Sequence, residues 1–573
     1  MRHNFEKGGA GPVQETLLKI ESSDLPLESV YRWEKERPNS IYMTQPLGRG
    51  QVKDYTWAQT IDEARRMAAH LKSLGHPPGT KIAILSKNCA HFILSDLAIW
   101  MAGYVSVALY PTSAPDTIQY ILEHSESKLL FVGKLDAFEA STTVPEGMAC
   151  IAYPLAPKTS YTQWDEIIKK TEPIEGRPVR DLEDSSLLIY TSGSTGKPKG
   201  VEHTFRSIVA GPKGAIKIFQ LTSEDRFISY LPLAHVFERA AIEIASFQLG
   251  NHVFFAESLD TFVADLNRAK PTFFHSVPRL WLKFQQGVLH KMPQKKLSFL
   301  TSIPILGGIV KKKILTGLGL DSAKYAVSGS APIPPQLIDW YRHLGLELLE
   351  GYAMTEDFVC SHISLPGKSR VGYVGNPVPG AEVRISPEGE VQLKTLGNMK
   401  GYYKAPELTQ ESYTEDGFFK TGDRGERDEA GRLKITGRVK ELFKTSKGKY
   451  ISPAPIENML NADLAVELSC VTGAGFAQPF AFVMLNESLR KQLANGTADK
   501  AAIVAGLTQL INQINKDVEE WERLSCIVIA RDEWAIDNGF LTPTMKLKRG
   551  AVDDNYGQDM AKWAETKEKV VWQ

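Results

Sequence analysis

Directly after the apolar run 186–189, the sequence reads Tyr190-Thr191-Ser192-Gly193-Ser194-Thr195-Gly196-Lys197-Pro198-Lys199-Gly200. The apolar run predicts the end of a buried strand. Glycines let backbone N–H groups turn towards a ligand, and such groups suit phosphate oxygens when hydroxyls and lysines lie nearby. A Walker-type loop is excluded, because two residues instead of four separate Gly193 from Gly196, and Pro198 follows Lys197. We predict a phosphate-binding loop of another kind; the alternative is a flexible surface loop.

Length and composition indicate a globular protein with more than one domain. The chain has 573 residues, of which 43% are hydrophobic and 23% charged, and its formal net charge is zero. Nothing in this balance favours nucleic acid as a partner. The five cysteines are widely spaced, which is typical of reduced thiols in a cytoplasmic protein. Residues 1–26 contain no continuous apolar segment, so we expect no secretory signal.

One apolar stretch, 92–110, is long enough to span a bilayer. Asp96 and Gly103 interrupt it, however, together with several small residues. We interpret it as a buried helix that runs into a strand at 104–109.

A second apolar stretch, 299–310, is too short to span a bilayer and has lysines on both sides, at 295–296 and 311–313. Basic flanks beside an apolar centre suit contact with an anionic membrane surface, such as the inner face of a membrane. The alternative is a surface hairpin or helix pair whose lysines are solvated. Both interpretations stay open at this point.

Helix and strand signals alternate along the first two-thirds of the chain. The amphipathic pattern at 61–74 predicts a helix that ends at Gly75. Short apolar runs predict strands at 81–85, 104–109, 128–132, 186–190, 227–231, 252–256, 271–277 and 324–328. This alternation is typical of layered α/β sheets.

The pattern changes after about residue 380. Short alternating strands are predicted at 381–385, 390–393 and 431–436, which indicates a β-rich subdomain at about 380–439. Helices are predicted at 456–460, 500–514 and 518–524. We therefore predict an N-terminal domain at 1–439 and a small α+β domain at 440–573.

Several further segments are candidates for carrying the chemistry of the protein. They are Leu231-Pro232-Leu233-Ala234-His235-Val236-Phe237-Glu238-Arg239, His275-Ser276-Val277-Pro278-Arg279-Leu280-Trp281, Ser328-Gly329-Ser330-Ala331-Pro332, Glu350-Gly351-Tyr352-Ala353-Met354-Thr355-Glu356, Thr421-Gly422-Asp423 with Arg438, 441–451, and Leu541-Thr542-Pro543-Thr544-Met545-Lys546-Leu547-Lys548-Arg549. Taken singly, each also fits a structural turn, a satisfied core histidine or a basic surface patch.

The residue types in these segments match the parts of ATP. A tyrosine ring can stack on adenine, and a threonine hydroxyl can contact the α-phosphate. The Glu356 carboxylate suits Mg²⁺, a cation that takes oxygen ligands and shares them with phosphates. The Asp423 carboxylate can accept hydrogen bonds from both ribose hydroxyls, and Arg438 offers a fork of donors.

In order and spacing, these motifs resemble the adenylate-forming superfamily of acyl-CoA synthetases, peptide-synthetase adenylation domains and luciferases. Segments 231–239, 275–281, 441–451 and 541–549 are most similar to long-chain and very-long-chain (bubblegum-type) fatty acyl-CoA synthetases. The resemblance covers roughly residues 30–555. One departure is Ala353, where the family often has glycine.

The resemblance implies a large N-terminal domain of layered α/β sheets with a β-rich subdomain, and a small mobile α+β C-terminal domain that rotates at hinge Lys440. Implied catalytic residues are Lys546, Thr355, Glu356 and His235, of which His235 borders the acyl pocket. Implied metal ligands are Thr195 and Glu356. Implied nucleotide- and cofactor-binding residues are Thr191, Ser192, Gly193, Ser194, Thr195, Gly196, Lys197, Ser330, Ala331, Pro332, Glu350, Gly351, Tyr352, Asp423, Arg438 and Lys440.

The implied activity is activation of a long-chain fatty acid with ATP and Mg²⁺ to acyl-AMP, followed by transfer to CoA. Fatty acid, ATP and CoA would then be the ligands, and a homodimer stays open. Two alternatives remain: transfer to another acceptor, such as a carrier-protein thiol or an internal hydroxyl, and a catalytically silent nucleotide- or lipid-binding protein.

Overall fold

The computed structural model describes residues 18–139, 143–191, 197–542 and 545–573. Its strands are β1 (Ile41–Gly48), β2 (Gln51–Thr56), β3 (Lys81–Leu85), β4 (Val105–Leu109), β5 (Leu129–Val132), β6 (Ala149–Ala152), β7 (Thr162–Gln163), β8 (Ser185–Thr191), β9 (Lys199–Thr204), β10 (Arg226–Ser229), β11 (His252–Phe255), β12 (Phe273–Ser276), β13 (Tyr325–Ser328), β14 (Leu348–Tyr352), β15 (His362–Ile363), β16 (Asn376–Pro377), β17 (Ala381–Ile385), β18 (Glu390–Thr395), β19 (Gly401–Tyr402), β20 (Phe419–Arg427), β21 (Leu433–Arg438), β22 (Phe443–Lys444), β23 (Tyr450–Ile451), β24 (Val466–Thr472), β25 (Phe480–Leu485), β26 (Ile527–Ile529) and β27 (Val570–Trp572).

Its α-helices are α1 (Pro26–Glu36), α2 (Trp57–Ser73), α3 (Ala90–Met101), α4 (Pro115–Ser125), α5 (Trp164–Lys170), α6 (Phe205–Phe219), α7 (Val236–Glu238), α8 (Ala245–Leu249), α9 (Phe262–Ala269), α10 (Pro278–Lys291), α11 (Gln294–Ser302), α12 (Leu306–Gly317), α13 (Pro335–Leu344), α14 (Pro406–Glu411), α15 (Pro453–Leu460), α16 (Glu487–Ala494), α17 (Lys500–Asp517), α18 (Arg549–Tyr556) and α19 (Met560–Ala564). A π-helical segment, Arg239–Ile244, joins α7 to α8. Single 3₁₀ turns lie at Ser22–Asp24, Thr355–Asp357, Val439–Glu441, Glu520–Glu522 and Gly557–Asp559.

The largest sheet has eight strands in the spatial order β19-β9-β8-β4-β3-β5-β6-β7. Neighbours from β8 to β7 are parallel, whereas β9 and β19 join the other edge antiparallel. All five residues of β4 are buried, as expected for a parallel strand covered on both faces. Helix α3 is buried on every side and leads into β4, which confirms the interpretation of 92–110.

Two further sheets run β10-β11-β1-β2 and β12-β13-β14-β15-β16. In the second, β12, β13 and β14 are parallel, so Ser276, Ser328 and Glu350 end up side by side. The polar segments that follow these strands in the sequence therefore meet at one sheet edge, where ligands of open α/β sheets usually bind.

Helix α2 shows how local chemistry fixes a boundary. The apolar pattern predicts a helix from residue 61, but the helix begins at Trp57. Thr56 Oγ1 accepts a hydrogen bond from Gln59 N at 3.2 Å, and Gln59 Oε1 accepts one from Thr56 N at 3.0 Å. This reciprocal capping box satisfies backbone donors four residues before the apolar stripe starts.

The later part of the chain contains the predicted β-rich segment, the antiparallel sheet β17-β18-β20-β21. After the hairpin β22-β23, a sheet in the order β24-β25-β26-β27 packs with helices such as α15 and α17. The predicted α/β class is thus confirmed, whereas the domain boundary at 439/440 stays a prediction.

The predicted helix at 518–524 is wrong. Val518 caps the C-terminal end of α17, and only the 3₁₀ turn Glu520–Glu522 follows. The Asn515 side chain accepts a hydrogen bond from Leu524 N at 2.8 Å and donates one to Leu524 O at 2.9 Å. These bonds replace the backbone partners that a helix would have supplied, so the segment folds back without one.

The stretch 299–310 forms parts of α11 and α12, which lie against each other. Within the described ranges, no helix is both long and apolar enough to cross a membrane.

Candidate functional site

A cavity of about 2510 Å³ opens beside the carboxyl ends of β13 and β14. This volume exceeds the roughly 300–1,000 Å³ of common small-molecule pockets, so more than one ligand can fit. The predicted site residues that line it are Thr191, His235, Ser330, Ala331, Pro332, Glu350, Gly351, Tyr352, Thr355, Glu356, Asp423, Arg438, Lys440 and Lys546. Side chains up to 355 positions apart therefore share one space.

The remaining predicted residues all belong to the segment 192–197. Residues 192–196 (Ser192, Gly193, Ser194, Thr195 and Gly196) lie outside the described part of the chain. Lys197 is not among the described lining residues, and its Nζ lies 5.5 Å from the centre of the Tyr120 ring. Lys199 does line the cavity, with its Nζ 5.6 Å from the ring centre of Tyr402.

Asp423 is held between an aromatic ring and a guanidinium group. Tyr352 Oη donates to Asp423 Oδ2 at 2.7 Å, and Arg438 Nε donates to Asp423 Oδ1 at 2.8 Å. Asp423 and Arg438 lie opposite each other in the antiparallel pair β20–β21. The strand register thus brings two separate sequence motifs together as one ion pair at the cavity wall.

Glu356 is positioned by contacts that cross several sheets. Tyr402 Oη donates to Glu356 Oε1 at 2.9 Å, and Met399 N donates to Glu356 O at 2.7 Å. The neighbouring Thr355 O lies 2.8 Å from His203 Nε2, which therefore carries the proton. The sequence prediction missed Lys199, Tyr402 and His203 as site residues. Only the aromatic pair after Gly401 could have indicated Tyr402.

Two other carboxyl groups in the segment 350–357 have raised pKa values, which favours their protonated forms at pH 7. Burial, with a contribution from Glu356, raises the pKa of Asp357 to about 8. Burial likewise raises the pKa of Glu350 to about 8. A protonated carboxyl group is a poor ligand for a hard cation, so Glu356 is the better candidate in this segment.

Lys546 reaches the cavity from a tight hairpin. Leu541 and Leu547 pair across it, Thr542 N donates to Lys546 O at 2.8 Å, and Lys546 N donates to Thr542 Oγ1 at 3.1 Å. Reduced solvation inside the cavity and the charge of Arg438 lower the pKa of Lys546 from its ordinary value, although nearby carboxylates oppose this shift. The hairpin therefore delivers a cation to a wall that also carries Glu356.

His235 lines the cavity close enough to Lys546 for the two charges to interact. Its Nδ1 accepts a hydrogen bond from Phe237 N at 3.2 Å, which places the ring proton on Nε2. Burial and the charge of Lys546 lower the pKa of His235 to about 3, so the ring is neutral at pH 7. A neutral Nε2–H group can donate to an oxygen without adding charge.

The apolar end of the cavity is lined by helix α6 and by the π-helical segment. Small residues on both sides leave room between them: Gly211, Pro212 and Ala215 on one side, and Ala240, Ala241 and Ala245 on the other. Phe219 and Phe273 add aromatic surface. This composition suits a hydrocarbon group.

A buried trio, Asp96, Arg239 and Glu243, lies on the other face of the π-helical segment. All three side chains are fully buried. Arg239 forms an ion pair with Asp96, and its Nε lies 3.3 Å from Glu243 Oε2. Burial, followed by the Asp96 charge, raises the pKa of Glu243 well above its usual range. The raised pKa favours the protonated form of Glu243 beside the Asp96–Arg239 ion pair.

The described residues of the cavity wall suit a divalent cation that is shared with a ligand. Among the described residues, no group of three or more His, Cys, Asp or Glu side chains could hold a metal ion. Glu356 offers a carboxylate at the cavity wall, and the described hydrogen bonds to that carboxylate come from Tyr402 alone. This donor set fits Mg²⁺, which commonly uses one or two carboxylates plus phosphate oxygens.

Two family models and several enzymes of known activity are similar to this chain over most of its length. The family model described as "AMP-binding enzyme" matches residues 30–403, and "AMP-binding enzyme C-terminal domain" matches 441–567. Long-chain-fatty-acid–CoA ligase FadD15 of Mycobacterium bovis is 30% identical, over 93% of this chain and 95% of the relative. Fatty acyl-CoA synthetase A of Dictyostelium discoideum is 29% identical, over 92% and 89%.

Solved structures share the fold at lower identity. The anthranilate CoA ligase AuaEII in complex with anthranoyl-AMP is 20% identical, with a TM-score of 0.77 over 95% of this chain and 100% of that one. The O-succinylbenzoate CoA synthetase of Bacillus subtilis in complex with AMP is 22% identical, with a TM-score of 0.72 over 92% and 98%.

Proposed function

Because the chain belongs to the AMP-binding enzyme family, which confirms the resemblance of its motifs, we propose that it is an AMP-forming ligase joining a long-chain fatty acid to CoA. The relatives that carry such names support the reaction and the substrate class. ATP is the proposed nucleotide.

The observation that carries the proposal is the position of Lys546. It enters the cavity that Glu356, Asp423 and Arg438 line, although about 100 residues separate it from the nearest of these in sequence. A cation beside a carboxylate and a ribose-sized polar site is the arrangement that adenylation requires. The first half-reaction is therefore the one for which this arrangement is suited.

In that half-reaction, an oxygen of the acid attacks the α-phosphorus of ATP, and the bond from that phosphorus to the β-phosphate oxygen breaks. Pyrophosphate leaves and acyl-AMP remains. Two anions must meet, so fixed positive charge lowers the barrier. Lys546 would supply it at the reacting oxygens, and the neutral His235 would donate from Nε2 near the carboxylate without repelling Lys546.

Glu356 would hold Mg²⁺ together with the phosphates, with Thr195 as the second predicted ligand. A bound Mg²⁺ would neutralise phosphate charge. Tyr402 would fix the direction of the Glu356 carboxylate through the 2.9 Å bond. Tyr352 would stack on the base, and Asp423 and Arg438 would bind the ribose. The backbone of 330–332 would border the adenine.

In the second half-reaction, the thiol of CoA loses its proton and its sulfur attacks the acyl carbonyl. The bond between the carbonyl carbon and the phosphate oxygen then breaks, and AMP leaves. Lys546 must withdraw to admit the thiol. We propose that the 440–573 segment turns about Lys440, which lies in an exposed 3₁₀ turn at the end of β21. Such a hinge motion would bring 441–451 towards the CoA path.

The long-chain substrate is supported by the apolar end of the cavity. The α6 wall extends from Gly211 to Phe219, which is about 12 Å of helix at 1.5 Å per residue. The facing alanines at 240, 241 and 245 leave this space open.

The test is acid-dependent exchange between ATP and pyrophosphate. We expect Lys546→Ala to lower the exchange rate by about 10²–10³, the effect of losing one stabilising group. Thioester formation from supplied acyl-AMP should be spared. The matched control is Lys562→Ala, which removes an exposed lysine of α19. Equal loss of both half-reactions would refute the role of Lys546, and no exchange with any acid would refute the function.

The acceptor needs a separate test. Wild-type protein loaded with labelled acyl-AMP is offered CoA and a phosphopantetheine carrier protein together. We expect the label to pass to CoA. Preferential labelling of the carrier protein would show that its thiol, and not CoA, is the acceptor. That result would not contradict the proposed adenylation step.

A further inference from the structure

The helix pair formed by α11 and α12 exposes apolar side chains on its outer face. Ile305 is 87% exposed, Phe299 66% and Ile309 61%. Single exposed apolar residues are ordinary, but several within one helix–turn–helix segment mark an interaction surface.

The inner face of the helix pair attaches it to the rest of the protein. Leu297 and Thr301 are buried, and Thr301 Oγ1 lies 2.8 Å from His343 Nε2 on α13. Val310 and Ile314 pack against the core that contains Trp281. The outer apolar residues are therefore not needed to attach the pair to the protein.

Ile305 sits in an unfavourable backbone conformation at the tip of the pair. Its φ is 66° and its ψ −56°, and Leu306 N donates to Pro304 O at 2.7 Å. This is a γ-turn with positive φ, a rare and strained geometry that is worst for β-branched residues. Glycine would relieve the strain, and the isoleucine buries little within the protein, so its side chain fits a role outside the fold.

Lysines surround these apolar residues. Between Asp265 and Asp321 the sequence has ten Lys and Arg residues and no Asp or Glu. On α11, Lys295 and Lys296 precede Phe299 by four and three positions, which places them on its side of the helix. On α12, the exposed Lys312 and Lys313 follow Ile309 in the same way.

The acidic residue next in sequence lies away from the tip. Asp321 accepts a hydrogen bond from Thr316 at 3.1 Å. Thr316 is about 15 Å along the helix from Leu306, at 1.5 Å per residue. The tip itself is therefore apolar with a basic rim, which complements a surface that is apolar inside and anionic outside.

We propose that the tip of the helix pair docks on bilayers that contain anionic phospholipid. Phe299, Ile305 and Ile309 enter the boundary between headgroups and acyl chains, and the lysines contact headgroup phosphates. The docking surface is independent of the proposed ligase activity. It is connected to the cavity by α13, which lines the cavity at Gln336 and meets the pair at His343, about 10 Å further along.

The test is co-sedimentation of the full chain with vesicles, without ATP or acid, so that its outcome does not depend on catalysis. Vesicles of phosphatidylcholine with about one-third phosphatidylglycerol are compared with phosphatidylcholine alone, at low and high salt. We expect binding to the anionic vesicles that weakens with salt. Lys312→Gln with Lys313→Gln should weaken binding about 25-fold at low salt, taking about fivefold for each lysine near the surface.

Ile305→Ser with Ile309→Ser should weaken vesicle binding at least about tenfold at both salt concentrations. Matched controls remove exposed residues elsewhere: Lys169→Gln with Lys170→Gln, and Val179→Ser. As a second readout, an environment-sensitive dye on Ile305→Cys should shift to the blue with anionic vesicles, and the same dye on Val179→Cys should not.

Three results would overturn the proposal. They are equal binding to both vesicle types, equal binding by the helix-pair variants and the wild type, and loss of self-association in the Ile305→Ser, Ile309→Ser variant without lipid. The last result would identify a second copy of the chain as the occupant of this surface.

Discussion

The buried trio Asp96, Arg239 and Glu243 permits a sharp stability experiment. Glu243→Gln replaces a neutral acid by an amide of the same shape, so we expect it to lower the free energy of unfolding by less than about 1 kcal/mol. Asp96→Asn removes the carboxylate that forms the ion pair with Arg239, and breaking a buried ion pair typically costs about 3–5 kcal/mol. Glu243 lies 3.3 Å from Arg239, so it can ionise in place of Asp96 and reduce that cost to about 2 kcal/mol.

The double variant has no carboxylate to replace Asp96. We expect it to lose at least about 4 kcal/mol, which is more than the sum of the single losses. Urea unfolding followed by tryptophan fluorescence measures all four proteins of this cycle at pH 7. Chain-length preference is measured alongside, because the π-helical segment that carries Arg239 also lines the apolar end of the cavity. If Glu243→Gln alone costs 3 kcal/mol or more, Glu243 is ionised in the native protein and the reasoning fails.

Three further predictions concern the site and its surroundings. Tyr402→Phe should lower acid-dependent pyrophosphate exchange about tenfold, because it removes the hydrogen bond to Glu356. The hydroxyl of Tyr403 donates to Glu126 at the surface, so the control variant Tyr403→Phe should leave the rate unchanged. Equal effects of the two substitutions would disprove the role of Tyr402. Burial lowers the pKa of His203 to about 4, so the unfolded chain binds a proton below about pH 6.5 that the folded protein excludes. The free energy of unfolding should therefore fall as the pH drops from about 6.5 to 4, by up to about 3 kcal/mol from this group. His203→Gln should reduce the difference between the urea midpoints measured at pH 7 and at pH 5. An unchanged difference would contradict this prediction. Arg279 on α10 forms an ion pair with Glu467 in β24, which connects the two predicted domains. Arg279→Gln should slow pyrophosphate exchange a few-fold more than it slows thioester formation from supplied acyl-AMP, and Lys283→Gln on the same helix should slow neither reaction. An equal decrease in both reactions would show that the ion pair does not favour one arrangement of the two predicted domains over another.

Each strand that local sequence patterns predicted overlaps a strand of the structure, because the causes of these segments are local. The strand at 381–385 agrees to the residue, and 81–85 does as well. Alternating or continuous apolar residues bounded by turns determine such segments directly. The helix at 518–524 failed because the Asn515 side chain satisfied the backbone of Leu524, and no periodicity reveals that competition.

Residues of contiguous motifs, such as 350–356, were predicted and line the cavity, whereas a lining residue that depends on strand pairing was not predicted. Tyr402 reaches Glu356 because β19 pairs with β9, which sets Gly401 opposite Glu202. Nothing in the residues around 402 specifies that register. The roles of the predicted site residues remain predictions that the variants above can test.

Asp96 also has an interaction partner that could not be predicted from the sequence. In the sequence it is a charged residue that interrupts an apolar stretch, which argues against a membrane span. Its partner Arg239 lies 143 positions away, and only the packing of α3 against the π-helical segment brings the two charges together. Long-range electrostatic partners of this kind cannot be identified from spacing.

The contacts of Asp423 have a consequence for nucleotide selection. An ionised carboxylate has about four lone-pair positions, and Tyr352 and Arg438 occupy two of them. The two that remain equal the number of hydroxyl groups on a ribose. A 2′-deoxynucleotide bound as proposed would leave one acceptor of this buried carboxylate unmatched, a deficit of about 1.5–3 kcal/mol, or roughly 10- to 150-fold in affinity. If ATP binds as proposed, the contacts of Asp423 would therefore favour ATP over dATP.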